Sequence, residues 1–369
     1  MTTHQIPFLD FQREPEDLIQ AQLKATESVL RSSRRVLGNH VQLFEHAWAE
    51  RTGTASAVGL GNGLDAIEIG LRALRIGPGD EVITTSLTAF ATTLAIQRCG
   101  AIPVFADIDP DTACLDPGSV ERCISPFTRA VLAVHLYGRA SNLSGLATLC
   151  SSHGLYLIED CAQAHGALYK GRPVGSIGAF GAWSFYPTKN LGAIGDAGAL
   201  TSNDQEIINA TRQLRNYGES SRFHHERAGL NSRLDELQAA ILLQRLIYLQ
   251  SWTDRRRAIA NRYWAEINNP HINALAQPSD PLEHVHHLFV LRSDRRDKLR
   301  NHLDQKGIQT LIHYPVPCHQ QKALEQHRVG PSGLLFAEQH SASLLSLPIH
   351  PFLKDQEVDI VIAGCNGFH

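Results

Sequence analysis

The sequence lacks an apolar run of the length that a membrane-spanning helix needs. It also lacks an excess of charge of one sign, because 34 Lys and Arg residues stand against 37 Asp and Glu residues and the formal net charge is −3. No basic stripe and no alternation of basic and aromatic residues occurs along the chain. We therefore expect neither a membrane nor a nucleic acid as a partner of this protein.

Disulfide patterns are missing as well. The seven cysteines form no C-x-x-C pair and their number is odd, which is typical of unpaired thiols in a reducing compartment. The N-terminal segment MTTHQIPFLDFQREPED is polar and acidic, without the apolar centre of a signal peptide. Together with 43% hydrophobic and 19% charged residues, these features predict a soluble globular protein of the cytoplasm.

A metal-binding motif is also missing, although the sequence contains 19 histidines. His284, His286 and His287 lie close together, but they lead into the apolar residues 288–291. We interpret this run as the start of a strand, on which adjacent side chains point to opposite faces. No cluster of cysteines or carboxylates accompanies it, so we predict no metal site there.

What the sequence does contain is an alternation of strand-like and helix-like segments over residues 55–160. Such an alternation predicts an α/β fold, with a mostly parallel sheet and helices on both of its faces. A chain of 369 residues is too long for one ordinary core. We predict a large domain over residues 1–250, which includes an N-terminal helical segment, and a smaller C-terminal α/β domain over residues 251–369.

Beyond residue 200 the pattern of polar and apolar residues changes. Residues 216–231 are polar and predict a loop, and residues 234–252 carry the apolar spacing of one long amphipathic helix. Farther along the chain we expect a strand over residues 288–291, a helix over residues 295–306 and a second strand near residues 309–313, which together build the smaller domain.

A glycine turn between a strand and a helix predicts an anion site. Residues 55–60 form the strand, Gly61 and Gly63 belong to the turn, and Leu64 and Asp65 open the helix. Free backbone N–H groups and the positive end of the helix dipole face such a turn. The dinucleotide pattern G-x-G-x-x-G fails, because Leu64 occupies the position of the third glycine. The turn therefore predicts a site for one phosphate group, and the alternative is an ordinary tight turn.

Lys189 stands in a stretch of small and apolar residues, 178–200. Desolvation lowers the pKa of a lysine and makes its amine a usable nucleophile, as a lysine that forms a Schiff base requires. The alternative is a lysine that ends a strand in solvent, since lysines are mostly exposed.

A carboxylate, Asp160, closes the predicted strand over residues 155–160. Ligands of parallel sheets lie at the carboxyl ends of the strands, so Asp160 and the glycine turn are expected to converge. A cofactor with one phosphate, a basic ring nitrogen and an aldehyde needs the turn, the acid and Lys189 together. Pyridoxal 5′-phosphate is such a cofactor, and Ser184 is a further candidate to bind its phosphate.

Four segments, in the same order, resemble one known family. They are residues 159–167 (EDCAQAHGA), 184–192 (SFYPTKNLG), 195–199 (GDAGA) and 231–240 (NSRLDELQAA), and they are similar to the DegT/DnrJ/EryC1/StrS family. Its typical members are pyridoxal-phosphate-dependent sugar aminotransferases with the aspartate aminotransferase fold, which is fold type I. The resemblance runs from about residue 7 to nearly the C-terminus.

The resemblance implies that Lys189 forms the Schiff base and moves the proton between the cofactor and the substrate carbon. It implies that Asp160 pairs with the pyridinium nitrogen and that Gln163 donates to the ring oxygen of the cofactor. The sequence departs from many relatives at Ala89, where they carry an aromatic residue that stacks on the pyridine ring. Phe90 is one position away and is interpreted as a core residue.

The same resemblance assigns the phosphate to Ser184 and to the turn of Gly63, Leu64 and Asp65. Leu64 replaces a threonine that is common in relatives, which removes one hydroxyl group from this site. Asn231 matches a phosphate ligand that comes from the second subunit, which implies a homodimer with shared active sites. Asn231 as the N-cap of the following helix is the alternative.

On the substrate side, the resemblance implies that His313, Tyr314 and His319 line the site of the nucleotide sugar, together with Tyr186. The implied reaction transfers an amino group, with glutamate as the donor, to a nucleotide-linked keto-sugar in the biosynthesis of amino sugars and polysaccharides. Residues 62–66 resemble those of members that act on 3-keto sugars. The alternatives are a sugar dehydratase of the same family and a non-enzymatic regulator.

Overall fold

The structure is a computed structural model that describes residues 5–369. The prediction that the N-terminal segment is not a signal peptide falls in part on residues 1–4, which lie outside the described residues. None of the helices among the described residues is both long and apolar enough to cross a membrane. The helices are Glu16–Arg31 (α1), Asn39–Thr52 (α2), Gly63–Ala73 (α3), Phe90–Arg98 (α4), Pro117–Cys123 (α5), Leu143–His153 (α6), Gln205–Leu214 (α7), Glu236–Leu246 (α8), Leu249–Glu266 (α9), Arg296–Gln305 (α10), Leu335–Ser343 (α11) and Asp355–Asn366 (α12).

The strands follow the alternation that the sequence predicts over its first half. They are Ser56–Leu60 (β1), Glu81–Thr85 (β2), Ile102–Ala106 (β3), Thr128–Val134 (β4), Tyr156–Asp160 (β5), Leu168–Tyr169 (β6), Arg172–Pro173 (β7), Gly181–Ser184 (β8), Gly198–Ser202 (β9), Glu219–Ser221 (β10), His224–His225 (β11), Asn273–Ala274 (β12), Phe289–Arg292 (β13), Arg328–Val329 (β14) and Leu344–Leu347 (β15).

An eight-stranded sheet organises the molecule in the order β1-β9-β8-β5-β4-β2-β3-β14. Strand β9 is antiparallel to β1 and β8, and the other neighbours are parallel. Along β4, Val131 and Ala133 pack into one hydrophobic cluster with α2, α6 and α8, while Ala130 and Leu132 pack into another with α3, α4 and α7. This alternation buries both faces of the sheet, and the predicted α/β architecture is confirmed.

A second hydrophobic core lies around the antiparallel sheet β12-β13-β15 and the helices α9, α10 and α12. Ile6 belongs to this core, and its amide donates to the carbonyl of Gly307 over 2.8 Å. Helix α9 spans both cores, because Leu249 packs in the large one and Ile259 in the small one. The division of the chain at residue 250 therefore falls inside a helix and stays a prediction.

Several predicted elements of the second half differ from the structure. The expected loop over residues 216–231 contains the short paired strands β10 and β11. The long helix over residues 234–252 is divided, because α8 ends at Leu246 and α9 begins at Leu249. The expected strand near residues 309–313 is a single bridge between Leu311 and Ser346, and β13 pairs with β12 and β15 instead. A nearly continuous apolar run hides a helix break, since helical spacing marks faces and not ends.

Candidate active site

Three predicted residues meet at one edge of the large sheet. Asp160 is the last residue of β5 and is paired with Ala182 of β8, and Ser184 is the last residue of β8. Gly63 opens α3 directly against Ser184, and a Cβ atom on Gly63 would lie 2.7 Å from the Cβ of Ser184. A glycine is thus required for the helix to begin this close to the end of the strand.

Lys189 is held on a compact loop that follows β8. Its amide donates to the carbonyl of Tyr186 over 2.8 Å, and the loop is closed by the amide of Ala193, which donates to Phe185 over 2.8 Å. Gly192 permits the closure, because a Cβ there would lie 2.3 Å from the carbonyl oxygen of Pro187. The backbone of the loop therefore fixes the position from which the lysine side chain extends.

The Lys189 side chain is half-buried rather than free in solvent. Burial lowers the pKa of its amine to about 8, and the nearby negative charge of Asp160 opposes this effect. An amine with such a pKa is unprotonated in a useful fraction near neutral pH. This is the electronic state that a nucleophilic lysine needs.

The Asp160 carboxylate is 5% exposed and has a partner on each oxygen. Oδ2 accepts a hydrogen bond of 2.8 Å from the hydroxyl of Thr92, and Oδ1 accepts one of 3.1 Å from the amide of Ala162. Thr92, on α4, was not predicted as a site residue. Ala89 is the N-cap of α4, and Phe90 is partly buried against a hydrophobic cluster.

Gln163 joins the large sheet to the predicted substrate segment. Its Oε1 accepts from the amide of Tyr137 over 2.6 Å, and its Nε2 donates to the hydroxyl of Tyr314 over 3.1 Å. The Tyr137 hydroxyl in turn donates to the carbonyl of His313. Burial raises the pKa of Tyr314, so its phenol stays protonated. Tyr137 was missed as a site residue, although it lies shortly after the end of β4.

The other predicted substrate residues lie in different environments. His313 Nδ1 is 2.9 Å from the hydroxyl oxygen of Ser346, and burial together with the charge of Lys189 lowers the pKa of His313 to about 4. Tyr186 is 51% exposed on the loop of the lysine. His319 Nε2 lies 3.0 Å from the carboxylate of Glu338 on α11. The structure thus places His313 near the lysine and ties His319 to α11.

The predicted phosphate turn is arranged around Asn62, the N-cap of α3. Its Oδ1 accepts from the amide of Asp65 over 2.8 Å, so this amide, expected to bind phosphate, is used inside the turn. The amides of Gly63 and Leu64 belong to the first turn of α3, where helix geometry provides no acceptor. The turn therefore offers the latter two amides, beside the Ser184 hydroxyl.

Asn231 is exposed, and its backbone forms a bridge with Asn216. The N-cap of α8 is Asp235, so the interpretation of Asn231 as a helix cap is wrong. The next residue, Ser232, accepts a hydrogen bond of 3.0 Å from the amide of Gly61. This segment therefore touches the phosphate turn of its own chain while the Asn231 side chain remains accessible.

A cavity of about 680 Å³ adjoins the loop of the lysine. Thr188 lines it on one side, and the small core lines it on the other. The charged and titratable side chains in its wall are Arg256, His287, Arg300, Asp304 and His313. A space of this size can hold a sugar or an amino acid substrate.

Within the described residues, side chains of the metal-ligand type gather at His135, Glu159 and Cys161. His135 Nδ1 accepts from the amide of Ser141 over 3.0 Å, so its Nε2 carries the hydrogen that bonds Glu159 over 3.0 Å. Burial opposes ionisation of Glu159, but His135 and backbone amides, including that of Gly175, lower its pKa. Because these bonds occupy both ring nitrogens of His135, the ring has no nitrogen left to bind a metal. The cluster is therefore a structural hydrogen-bond network.

The histidine run of the small unit is not part of a strand, since β13 begins only at Phe289. The rings of His284 and His286 instead stack with centroids 3.9 Å apart, and the amide of His286 donates to Nδ1 of His284 over 2.9 Å. Burial lowers the pKa of both residues. The pair is therefore neutral and forms part of the core.

Known proteins resemble the chain over nearly its whole length. A profile of the DegT/DnrJ/EryC1/StrS aminotransferase family matches residues 16–366. The dTDP-3-amino-3,4,6-trideoxy-alpha-D-glucose transaminase of Streptomyces venezuelae is 45% identical over 355 residues, 95% of this chain and 93% of that protein. The dTDP-3-amino-3,6-dideoxy-alpha-D-galactopyranose transaminase of Aneurinibacillus thermoaerophilus is 42% identical over 363 residues, 98% of this chain and 99% of that protein.

The fold agrees with these relatives. The solved structure of S. venezuelae DesV has a TM-score of 0.94 and 44% identity, and the likeness covers 99% of this chain and 98% of that chain. The family and the fold that the sequence motifs imply are thereby confirmed. The chain belongs to the DegT/DnrJ/EryC1/StrS aminotransferase family.

Proposed function

We propose that this protein is a pyridoxal 5′-phosphate-dependent aminotransferase that transfers the amino group of glutamate to a nucleotide-linked keto-sugar. The observation that carries the proposal is the state of Lys189. Its amine is half-buried, has a pKa lowered to about 8 and lies within the field of Asp160. A lysine and a buried carboxylate at the carboxyl edge of a parallel sheet are the two charged groups that this chemistry requires.

The residues around Lys189 fit the cofactor. The close approach of Gly63 to Ser184 leaves two helix amides and a hydroxyl in one small cradle, which suits a single phosphate group. The carboxylate of Asp160, which accepts hydrogen bonds from Thr92 and Ala162, would pair with the protonated ring nitrogen of the cofactor. When bound, the cofactor supplies an aldehyde for the lysine and a ring that takes up electrons from the substrate carbon.

The side chains of the site then have distinct tasks. Lys189 Nζ binds the cofactor and moves a proton at the substrate carbon, for which a lowered pKa is favourable. Gln163 uses one N–H group for Tyr314 and has a second one for the ring oxygen of the cofactor. His313 and Tyr314 border the substrate, and Tyr186 and His319 are proposed as further substrate contacts.

The substrate is proposed to be a nucleotide sugar with a keto group at carbon 3. Both transaminases described above are named for products that carry a 3-amino group on a dTDP-linked sugar. The cavity beside Lys189 has two arginines, Arg256 and Arg300, and one carboxylate, Asp304, in its wall. This excess of positive charge favours a substrate that carries phosphate groups.

We further propose a homodimer in which each active site takes Asn231 from the neighbouring chain. The support is the accessible side chain of Asn231 and the absence of a capping role for it. In the segment that precedes Asn231 in the chain, the large apolar side chain of Phe223 is 77% exposed, which is compatible with an interaction surface. The seven cysteines are free, which supports a reducing, cytoplasmic location.

The two alternative functions are less well supported. A dehydratase of this family is expected to carry histidine at the position of Lys189, and a regulator without chemistry has no need of a desolvated lysine beside Asp160. The test is incubation of the purified protein with pyridoxal 5′-phosphate, glutamate and a series of keto-sugar nucleotides, followed by mass spectrometry. An amino-sugar nucleotide confirms the proposal, and its absence across the series, with the cofactor bound, contradicts it.

A further inference from the structure

His287 belongs to the cavity wall, and one of its ring nitrogens, Nδ1, has a fixed hydrogen-bond partner, Asn190. Asn190 directly follows the lysine, and its Nδ2 donates to the carbonyl of Val285 over 3.0 Å. Since a carbonyl can only accept, this bond fixes the orientation of the amide. Oδ1 of Asn190 therefore faces Nδ1 of His287, which lies 3.2 Å away. An amide oxygen can only accept as well, so Nδ1 carries the hydrogen.

The other nitrogen of His287 is consequently an acceptor. Burial and the positive charges of Lys189 and Arg256 lower the pKa of His287, so the ring stays neutral and Nε2 holds a lone pair. No residue of the described chain binds Nε2, and His287 lines the cavity of about 680 Å³. The backbone of the residue is held as well, because Arg256 donates to its carbonyl over 3.4 Å.

We propose that Nε2 of His287 accepts a hydrogen bond from a hydroxyl group of the sugar substrate. The charges in the wall decide between the possible donors: Arg256, Arg300 and the nearby lysine are positive, against one carboxylate, Asp304. This field disfavours an ammonium group and tolerates a neutral hydroxyl. The inference rests on the proposed function, because it assumes that a sugar enters this cavity.

Two variants separate this role from a merely structural one. His287→Asn keeps a donor for Asn190 and deletes the acceptor at Nε2, while His287→Gln extends a carbonyl oxygen toward that position. His286→Asn is the matched control, since it removes a neighbouring buried histidine whose φ of 47° is well tolerated by Asn. Rapid mixing then measures the glutamate half-reaction and the half-reaction with a dTDP-linked 3-keto sugar separately in each holoenzyme.

We expect His287→Asn to lower kcat/KM of the sugar half-reaction by about tenfold, the usual effect of one lost hydrogen bond. The glutamate half-reaction should stay within about twofold of the parent, His287→Gln should recover part of the loss, and His286→Asn should leave the ratio of the two half-reactions unchanged. An equal loss in both half-reactions, a loss only with glutamate, or no loss overturns the inference. If the parent uses no sugar nucleotide at all, the proposed function itself fails.

A measurement on the unchanged protein covers the case in which the Asn variant does not fold. In holoenzyme with ¹⁵N-labelled histidine, NMR should assign the hydrogen of His287 to Nδ1. Addition of unreactive dTDP-glucose should shift the Nε2 resonance and leave that of Nδ1 nearly in place. A protonated Nε2, or an Nε2 resonance that does not respond at saturating dTDP-glucose, overturns the inference.

Discussion

Removal of the Asp160 charge should change the chemistry of Lys189 in a predictable direction. Burial lowers the pKa of Lys189 to about 8 although Asp160 raises it. A nearby opposite charge favours the charged form of an amine and so raises its pKa. In Asp160→Asn the ammonium form loses this support, so the pKa of Lys189 should fall further below its usual range. A fall of about 1 in this pKa raises the unprotonated fraction at pH 7 from roughly one tenth to about one half.

This change can be followed without the cofactor. Cofactor-free parent and Asp160→Asn proteins are methylated with formaldehyde and a mild borohydride between pH 6 and 9, and mass spectrometry measures the rate at each lysine. For a fall of about 1 in this pKa, Lys189 of the variant should react about fivefold faster at pH 7 and close to the parent rate well above pH 8. The exposed Lys170 is an internal control in the same digests, because its surroundings do not change.

The result that refutes this reasoning is a pH profile of Lys189 that stays in place or moves to higher pH in Asp160→Asn. Such a result means that Asp160 does not act on the amine through its charge. The same variant, loaded with cofactor, should lose most of its transamination because the ring nitrogen loses its anionic partner. Turnover at the parent rate contradicts that role.

Three further predictions concern the lysine that binds the cofactor, the sharing of sites in the dimer and the capping of α2 by Glu236. Borohydride reduction of the holoenzyme followed by peptide mapping should place the cofactor on Lys189, and a label on another lysine refutes the assignment. Lys189→Ala and Asn231→Ala chains, inactive alone, should recover about a quarter of the parent activity after they are refolded together, because half of the dimers are mixed and each has one intact site; no recovery means that sites are not shared. Glu236, 1% exposed, accepts bonds from the amides of Gly38, His40 and Val41 at the start of α2. Glu236→Ala should therefore cost about 2 to 4 kcal/mol in urea unfolding, against roughly 0.5 or less for the exposed Glu27→Ala, and an equal effect of both contradicts the capping role.

The sequence could propose candidate site residues where the signals are local. Gly63 marks a tight helix start, and Lys189 stands in a stretch rich in small and apolar residues. The alternation of strands and helices then places such residues at one edge of the sheet, since parallel strands end together. The family motifs, also local in sequence, added the roles that spacing alone leaves open.

The remaining contacts join distant parts of the chain. The hydroxyl of Thr92 reaches Asp160 across 68 residues, and Gln163 reaches Tyr314 across 151 residues. Strand β13 pairs with β15, which lies more than 50 residues farther along the chain, and β14 joins the large sheet from the far half of the chain. Nothing in a local pattern specifies which distant groups will face each other, because that choice depends on how the two cores pack.

The sequence by itself determined the α/β class, because that class depends on periodicity. It also proposed Lys189, Asp160 and the glycine turn as candidate site residues, through the residue types in its local motifs and their resemblance to a family. Only the tertiary structure decided the state of those groups. It half-buries Lys189 and lowers its pKa, gives Asp160 its two donors, and turns His287 from a supposed strand residue into a neutral acceptor held by Asn190. The physical reason is that pKa and tautomer are set by burial and by partners in space, which the order of residues does not contain.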